Sequence, residues 1–443
     1  MIRDLIAFTL MASFPVAEPP AGQKPTRARY WVIVFAVTLA ILAYIDRVCM
    51  SVAAPVISRD LGLSKAQMGM IFSAFGLGYA LFEIPGGWLG DWLGPRSVLL
   101  RIVLWWSCFT AAMGQMWSFT SLWVSQFLFA AGEAGCFPNL TKSFTVWLPH
   151  PERVRAQGIM WMFARWGGAF TPPLVTFMLS LVSWRVTFPI LGSMGLIWAF
   201  FFYRWFRDNP AEHKSVNRAE LKLLEGAVKG GGHGDVPWGK LIASGSVWLL
   251  WAQYFLISYP WYFYITWLPT YLRENRHLSP QETGVLAILP LFCGGLGNIV
   301  SGLLAPRLAR VFGSVKKQRR VVGTCGFLGA AACILMVTVV KDPIAAMLVM
   351  GLASFSNDIV MPGAWGACMD VGGKYAGTLA GSMNMMGNLA GFVAPTVGGL
   401  ILQHTAGNWN LFLYTMTAAY LIGSLCWPFI DPVTPIDREG SSN

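Results

Sequence analysis

The stretch Gly87-Trp-Leu-Gly-Asp91-Trp-Leu-Gly94-Pro-Arg96 joins two long apolar runs, and its place between them decides the fold. Its glycines allow two backbones to approach closely where helices meet. Asp91 is placed to accept hydrogen bonds from the N-terminus of a facing helix or to pair with an arginine. Taken without its context, this stretch is compatible with a simple loop. Its position between two apolar runs instead predicts a gating motif that contains Gly87, Asp91, Gly94 and Arg96.

Apolar runs like the two that flank this motif recur along the whole chain. Of 443 residues, 55% are hydrophobic and 12% are charged, whereas an ordinary soluble domain has roughly 25% charged residues. The runs have the length of about 20 residues that a helix needs to cross a bilayer, and they are continuously apolar, unlike barrel strands. The sequence therefore predicts an all-α integral membrane protein with twelve transmembrane helices in two six-helix bundles. The predicted spans are 31–57, 67–90, 97–116, 120–143, 154–182, 184–206, 246–272, 283–306, 321–340, 343–367, 375–402 and 409–430.

One long polar, basic stretch divides these spans into two sets of six. The predicted parts are a cytoplasmic N-terminal tail 1–29, an N-terminal bundle 30–206, a cytoplasmic linker 207–245, a C-terminal bundle 246–430 and a cytoplasmic tail 431–443. Lys and Arg are concentrated in the loops on the side of the linker, which predicts that both termini are cytoplasmic in a multi-pass protein of the cell membrane. Because these basic residues lie where anionic lipid headgroups would meet them, the net charge of +11 requires no nucleic-acid partner.

Catalytic and metal-binding patterns are missing from the sequence. It contains no H-E-x-x-H, G-x-S-x-G or phosphate-binding glycine loop in a suitable context, and its five histidines lie in loops or at span ends. The eight cysteines lie in or beside apolar spans and form no C-x-x-C pair. We expect no enzyme activity, no metal site and no cofactor.

Six ionisable residues lie well within the predicted spans, and they carry the chemistry. A charge at bilayer depth costs at least ~2.5 kcal/mol and marks a functional candidate. These four acids and two bases sum to minus two, and burial favours the neutral form of a carboxyl group, so one or two acids should carry a proton in some state. For Glu83, Arg165 and Asp358 the alternative is a structural ion pair or a position nearer the headgroups. The six are Asp46, Arg47, Glu83, Glu133, Arg165 and Asp358.

The first span places two of these charges on different faces. Tyr44 and Arg47 are three residues apart and share a helix face, whereas Asp46 lies about 100° away. A guanidinium is permanently charged and forms bidentate hydrogen bonds with carboxylates. Arg47 is therefore predicted to bind an anionic substrate. The alternative is that Arg47 only neutralises Asp46, although a buried pair is a poor source of stability.

Several motifs resemble those of one membrane-protein family. The stretch 87–96 resembles the signature loop of the major facilitator superfamily. The remaining motifs are similar to its anion:cation symporter branch, and they follow the same order along nearly the full chain. They are Tyr44-Ile-Asp-Arg47, Gly78-Tyr79 through Gly87, Gly132-Glu133-Ala-Gly135, Glu152-Arg153 and Met386-Gly-Asn388 through Gly391.

The resemblance implies a major facilitator fold and proton-coupled symport of a small organic anion by alternating access, with protons as the coupling ion. The substrate class would be a sugar acid such as galactonate, glucarate or a hexuronate, or another carboxylate, and we expect a monomer. The resemblance assigns proton coupling to Asp46 and Glu133, gating also to Arg153, and substrate binding to Tyr44, Arg47, Tyr79, Asn388, Asn384 and Trp365. For the asparagines the alternative is interhelical hydrogen bonding.

The chain departs from the family pattern at three places. Gln126 stands where many members carry an arginine, and Glu83 stands where glutamine is more common. Arg165 is our candidate for replacing the missing positive charge, with Glu83 and Asp358 as further charge-compensating residues. In the second half, the stretch 302–307 resembles the signature loop with a proline in place of the acid, so the two gates are expected to be unequal.

Two other functions remain open from the sequence. The same fold suits an exporter or an uncoupled exchanger. A non-transporting membrane receptor or enzyme is the third possibility, and it is disfavoured because the chain has neither a soluble sensing domain nor a catalytic motif.

Overall fold

A computed structural model describes residues 24–224, 238–372 and 376–436 of the chain, without the side chains of residues 91, 150, 151, 153–155, 240, 376 and 377. This part of the chain consists of helices and connecting loops and contains no strand. The expected tail 1–29 and linker 207–245 are thus described only in part, and the side chains of Asp91 and Arg153 lie outside the described residues.

The described residues of the amino-terminal half form seven helices before the linker. Several begin at a residue that satisfies free helix N–H groups: the Ser64 side chain accepts from Gln67 N–H, and Ser118 accepts from Ser121 N–H. The helices are α1 (Tyr30–Leu61), α2 (Lys65–Leu93), α3 (Pro95–Met113), α4 (Phe119–Glu133), α5 (Cys136–Trp147), α6 (His150–Leu181) and α7 (Trp184–Trp205).

The carboxy-terminal half follows after short helical pieces, namely a 3₁₀ turn at Pro210–Glu212, α8 (Arg218–Leu224) and α9 (Trp238–Ala243). Its helices are α10 (Gly245–Thr266), α11 (Leu268–Glu274), α12 (Pro280–Leu286), α13 (Ile288–Val311), α14 (Val315–Val337), α15 (Pro343–Gly372), α16 (Ala376–His404) and α17 (Trp409–Cys426). Within the described residues, eight stretches are long and apolar enough to cross a membrane.

Three predicted spans are broken rather than continuous. The fourth span divides at Ala134 and Gly135, where Gly135 has φ of +85° and packs directly on the backbone of Gly86. A side chain at position 135 would be strained by this φ and would collide with α2. The seventh and eighth spans divide at Trp267 and Ala287. The break at residue 135 leaves Glu133 in the last turn of α4.

The two halves meet mainly through α2 against α16 and α6 against α13 and α12. We call the end that carries residues 62–64 and 275–279 the loop-62 end, and the opposite end, which carries residues 94 and 312–314, the signature end. Toward the loop-62 end, Gly69 packs on Pro395, and the Ser73 and Thr396 hydroxyls are 2.6 Å apart.

Every hydrogen bond, ion pair and ring contact that the structure describes between the halves lies level with Glu83 or on its loop-62 side. On the signature side, a methyl group added at Gly158, Gly302 or Gly381 would meet no atom within 4 Å. The described residues of the two halves are therefore in contact at the loop-62 end, and they make none of these contacts at the signature end.

A buried charge cluster docks the start of the linker onto the amino-terminal half. Arg29, just before α1, forms ion pairs with Glu152 at 3.1 Å and with Glu220 of α8 at 3.2 Å. Both glutamates are buried. The linker helix α8 is thus attached to the signature ends of α1 and α6.

Candidate functional site

Arg47 forms an ion pair with Glu133 inside the amino-terminal half. Its Nε donates to Glu133 Oε1 over 2.8 Å, and its NH2 nitrogen is also 2.8 Å from that oxygen. Glu133 is fully buried, and the side chain of Arg47 is 8% exposed. Among the described residues, Glu133 is the acid that contacts this guanidinium, and it contacts the edge formed by Nε and Nη2.

Aromatic rings surround the rest of this guanidinium. Its central carbon lies 4.8 Å from the ring centroid of Tyr79, 5.0 Å from Phe75, 5.2 Å from Tyr44 and 5.4 Å from Phe137. Aromatic faces attract a cation and leave its N–H groups available to an oxygen acceptor. The predicted group of Tyr44, Arg47 and Tyr79 is thus brought together.

Asp46 is buried beside this pair but takes no part in it. Its carboxylate has no hydrogen-bond or ion-pair partner among the described residues, and it interacts electrostatically with Glu133. The structure therefore differs from the alternative in which Arg47 neutralises Asp46. Glu133 Oε2 is likewise buried without a hydrogen bond, so Glu133 keeps one free oxygen while it pairs with Arg47.

Glu83 of α2 reaches across to the carboxy-terminal half. It accepts hydrogen bonds from the side-chain amides of Asn384 and Asn388 on α16, the latter over 3.1 Å. Asn388 Oδ1 in turn accepts from the Tyr262 hydroxyl over 2.9 Å. The two asparagines thus make the interhelical hydrogen bonds considered above, and their acceptor is an acid from the other half.

A second buried ion pair joins the two halves directly. Arg165 of α6 lies 3.3 Å (Nε to Oδ2) and 3.4 Å (NH2 nitrogen to Oδ1) from Asp358 of α15. The same carboxylate accepts from the amides of Asn298 over 3.1 Å and Asn357 over 2.8 Å. Arg165 thus lies against Asp358 and not against Asp46, so it does not compensate Asp46 by direct contact.

Aromatic residues of α10 lie between these charged groups. Trp261 lies under Arg165, with 4.6 Å from the guanidinium carbon to the ring centroid, and it contacts Tyr44 edge-on at 6.4 Å between centroids. Tyr254 packs edge-on against Trp365 at 5.8 Å. Trp365 therefore lies against α10 beside the charged layer.

The gating motif is described in part. The Arg96 backbone N–H donates to Asp208 over 2.8 Å, and its guanidinium donates to the Tyr203 carbonyl over 2.7 Å. Gly94 has φ of +81° and packs against Asp208, while Gly87 faces Pro138. Burial raises the pKa of Asp208, against the opposing effect of the Arg96 backbone N–H. The described members of the motif thus make their contacts within the amino-terminal half and its exit to the linker.

The seventh predicted span contributes aromatic side chains to the site that its sequence pattern did not predict. Tyr254, Trp261 and Tyr262 were not singled out, although the run Tyr259-Pro-Trp-Tyr-Phe-Tyr264 is an unusual aromatic density for one helix. Asn298, a polar side chain in an apolar span, was the available signal for a partner of Asp358. Within the described residues, no group of three or more His, Cys, Asp or Glu side chains is arranged to hold a metal ion.

Comparisons with known proteins identify the family of the chain. The family model described as Major Facilitator Superfamily matches residues 36–395. The "Probable sulfoacetate transporter SauU" of Cupriavidus necator is 35% identical, over 93% of this chain and 96% of that protein. The D-galactonate transporter of Escherichia coli is 29% identical, over 92% of this chain and 97% of that protein.

The same fold is found among solved structures. A bacterial homolog of the human lysosomal transporter Spinster, in an inward-facing and occupied conformation, superposes with a TM-score of 0.68 at 18% identity, over 92% of this chain and 95% of that one. The predictions of an all-α, multi-pass transporter fold and of a transporter rather than an enzyme are confirmed. The chain belongs to the Major Facilitator Superfamily, and its resemblance to the anion-transporting branch of that family is confirmed.

Proposed function

We propose that this transporter carries a small organic anion together with protons across the cell membrane, as a monomer with both termini in the cytoplasm. The observation that carries the proposal is the buried Arg47 guanidinium, which has a single acidic partner and is otherwise surrounded by aromatic rings. A permanent cation at this depth needs an anionic partner, and its geometry favours a carboxylate or sulfonate. Both relatives are named for substrates of this kind, sulfoacetate and D-galactonate.

Competition for Arg47 supplies the coupling. A substrate anion and the Glu133 carboxylate would both bind the Arg47 guanidinium, and two negative charges beside one cation repel each other. Protonation of Glu133 removes its charge and releases Arg47 to the anion. Asp46, which lies beside Glu133 without a partner, is the second proton acceptor. Proton binding thus precedes or accompanies anion binding, and the return of the empty carrier restores the Arg47–Glu133 pair.

Alternating access follows from the placement of the contacts between the halves. If the basic loops on the signature side lie in the cytoplasm, the described contacts between the halves lie toward the outside, which supports an inward-open arrangement. Rocking of one half against the other would open the Lys65–Glu274 and Ser73–Thr396 contacts and close the signature end. The charged layer would then face the outside.

Uptake by purified protein in liposomes tests the proposal. With an inward proton gradient, we expect wild-type protein to accumulate labelled sulfoacetate, D-galactonate or another carboxylate above equilibrium. Arg47→Ala should not accumulate any of them, and Glu133→Gln should exchange substrate without responding to the gradient. Transport that is insensitive to collapse of the gradient would indicate an uncoupled exchanger. Absence of uptake of every anion in the panel would refute the anion assignment.

A further inference from the structure

Glu83 is a buried acid that the Arg47–Glu133 mechanism does not use. It is 4% exposed and lies where α2 meets α16, so its partners come from the other half. The amides of Asn384 and Asn388 each donate to one of its oxygens. No cation forms an ion pair with Glu83 among the described residues. A carboxylate that is satisfied only by neutral amides keeps a full uncompensated charge in a low-dielectric layer.

The groups around Glu83 define its electrostatic surroundings. Among the described residues, Arg47 of α1 is the permanent cation that acts on it. The remaining titratable neighbours are Tyr79 on its own helix and Tyr254 and Tyr262 on α10. Because Arg47 is already paired with Glu133, an anion bound to Arg47 would remove the attraction that favours ionised Glu83.

The hydrogen-bond pattern depends on the charge of Glu83. An ionised carboxylate only accepts, which matches two amide donors, whereas a protonated one must also donate. Asn388 Oδ1 already accepts a hydrogen bond from the Tyr262 hydroxyl. The O–H of protonated Glu83 would therefore compete with Tyr262 for this acceptor, or an asparagine side-chain amide would have to rotate so that its oxygen faces Glu83. A proton on Glu83 therefore rearranges the contact between α2 and α16 that lies nearest the signature end.

We propose that Glu83 is a third proton-carrying residue of the transport cycle and that its protonation loosens the contact of the two halves at Asn384 and Asn388. The proposal rests on proton-coupled anion transport as the function of the site. The proton enters from the aqueous side to which the site is open, converts the carboxylate to the acid, and leaves to the opposite side after substrate release.

A count of charges in the buried layer supports a third proton. Asp46, Glu83, Glu133 and Asp358 against Arg47 and Arg165 give minus two when all are ionised, and a monovalent anion makes it minus three. Two protons, on Asp46 and Glu133, leave minus one, whereas a third proton on Glu83 makes the loaded layer neutral. Asp358 is unsuited to carry this proton because Arg165, Asn298 and Asn357 all donate to its charged form. Uncompensated charge in this environment is strongly unfavourable.

The first test needs no substrate. Infrared difference spectra of purified protein between mildly acidic and mildly alkaline pH report carboxyl groups that gain a proton. We expect Glu83→Gln, which keeps the shape of the side chain, to lose one protonated-carboxyl band of the wild type. Ser73→Ala is the matched control, since it removes another hydrogen bond between α2 and α16 without removing an acid, and it should keep the band. An unchanged set of bands in Glu83→Gln would overturn the proposal.

The second test measures protons moved per anion. In liposomes, the gradient of sulfoacetate or D-galactonate that just balances a fixed proton gradient gives the stoichiometry. We expect Glu83→Gln to transport with one proton fewer per anion, and Ser73→Ala to match wild type. Equal stoichiometry in Glu83→Gln and wild type would reject the role of Glu83 while leaving proton-coupled transport intact. Wild-type transport without any proton dependence would instead reject the proposed function, and the third proton site with it.

Discussion

Two buried arginine–acid pairs occupy the same layer of the molecule and differ in how they are held. Arg47 and Glu133 lie in one half, 2.8 Å apart, and Glu133 has no other hydrogen-bonding partner among the described residues. Arg165 and Asp358 join the two halves at 3.3 to 3.4 Å, and Asp358 also accepts from two asparagine amides. The acid of the first pair thus has a shorter contact with its arginine and no further hydrogen bond. The acid of the second pair has a longer contact and two further hydrogen bonds.

This difference separates a chemical role from a conformational one. In the proposed mechanism, an anion that binds Arg47 would displace the only described partner of Glu133, which would tie protonation of Glu133 to substrate binding. Asp358 keeps two amide donors whatever Arg165 does, so its carboxylate is held by hydrogen bonds as well as by the ion pair. A pair within one half is unaffected when the halves rock, whereas a pair between halves is stretched or broken by that motion. In the proposed rocking motion, the Arg165–Asp358 distance would therefore change while the Arg47–Glu133 distance would not.

Arg47→Ala should give the largest effect. Removing one partner of a buried charge pair costs about 2–5 kcal/mol, which corresponds to a loss of at least ~30-fold in anion affinity. Substrate binding by isothermal titration or proteoliposome uptake measures it. Arg47→Lys is the control that keeps the charge without the planar fork. Near-normal uptake by Arg47→Ala would show that the substrate binds elsewhere.

Arg165→Ala should abolish transport while expression remains intact, because it leaves Asp358 without its cation and removes a link between the halves. Replacing both residues, as Arg165→Ala with Asp358→Asn, should restore part of the transport if the pair serves only neutralisation. The same double replacement at Arg47 and Glu133 should remain inactive, because the anion then has no cation to bind. If both double variants recover transport, or if neither does, the two pairs do not differ in role.

Glu133→Gln should retain exchange but lose accumulation. The neutral side chain mimics the protonated acid, so Arg47 stays available to the anion at every pH. We expect wild-type uptake to rise as the outside pH falls and Glu133→Gln uptake to be nearly independent of pH, with accumulation reduced to the equilibrium level. Initial rates across a pH series, with and without a proton gradient, measure both. A variant that still concentrates substrate would remove Glu133 from the coupling mechanism.

Lys65→Ala should have the smallest effect. Lys65 and Glu274 form an ion pair between the halves at the loop-62 end, with side chains 35% and 40% exposed. Such exposed pairs contribute about 0–1 kcal/mol, so KM should change by less than about fivefold. Uptake kinetics at low and high ionic strength measure it. A loss comparable to that of Arg165→Ala would mean that the contact at the loop-62 end, rather than the buried pair, controls closure.

The layer of charges shows how far sequence reasoning extends. Each of the six charged residues was singled out because a charge in an apolar span is rare. Tyr44 and Arg47 were placed on one face by helix periodicity, and the structure brings them together. The partners were not predictable. Glu133 is 86 positions from Arg47 and Asp358 is 193 positions from Arg165, so no local pattern connects them. The breaks at Gly135, Trp267 and Ala287 were missed because each lies within a continuously apolar run.

The sequence by itself determined that this chain crosses a membrane many times as helices and that it belongs to its family. The reason is that lipid leaves the backbone no hydrogen-bonding partner except its own helix, so apolar length alone encodes each span. Only the tertiary structure decided which acid pairs with which arginine. Asp46 and Arg47 are neighbours in the chain, yet they point about 100° apart around one helix. The packing of the helices therefore places Glu133 beside Arg47, and it places Glu83 beside the asparagines of the other half.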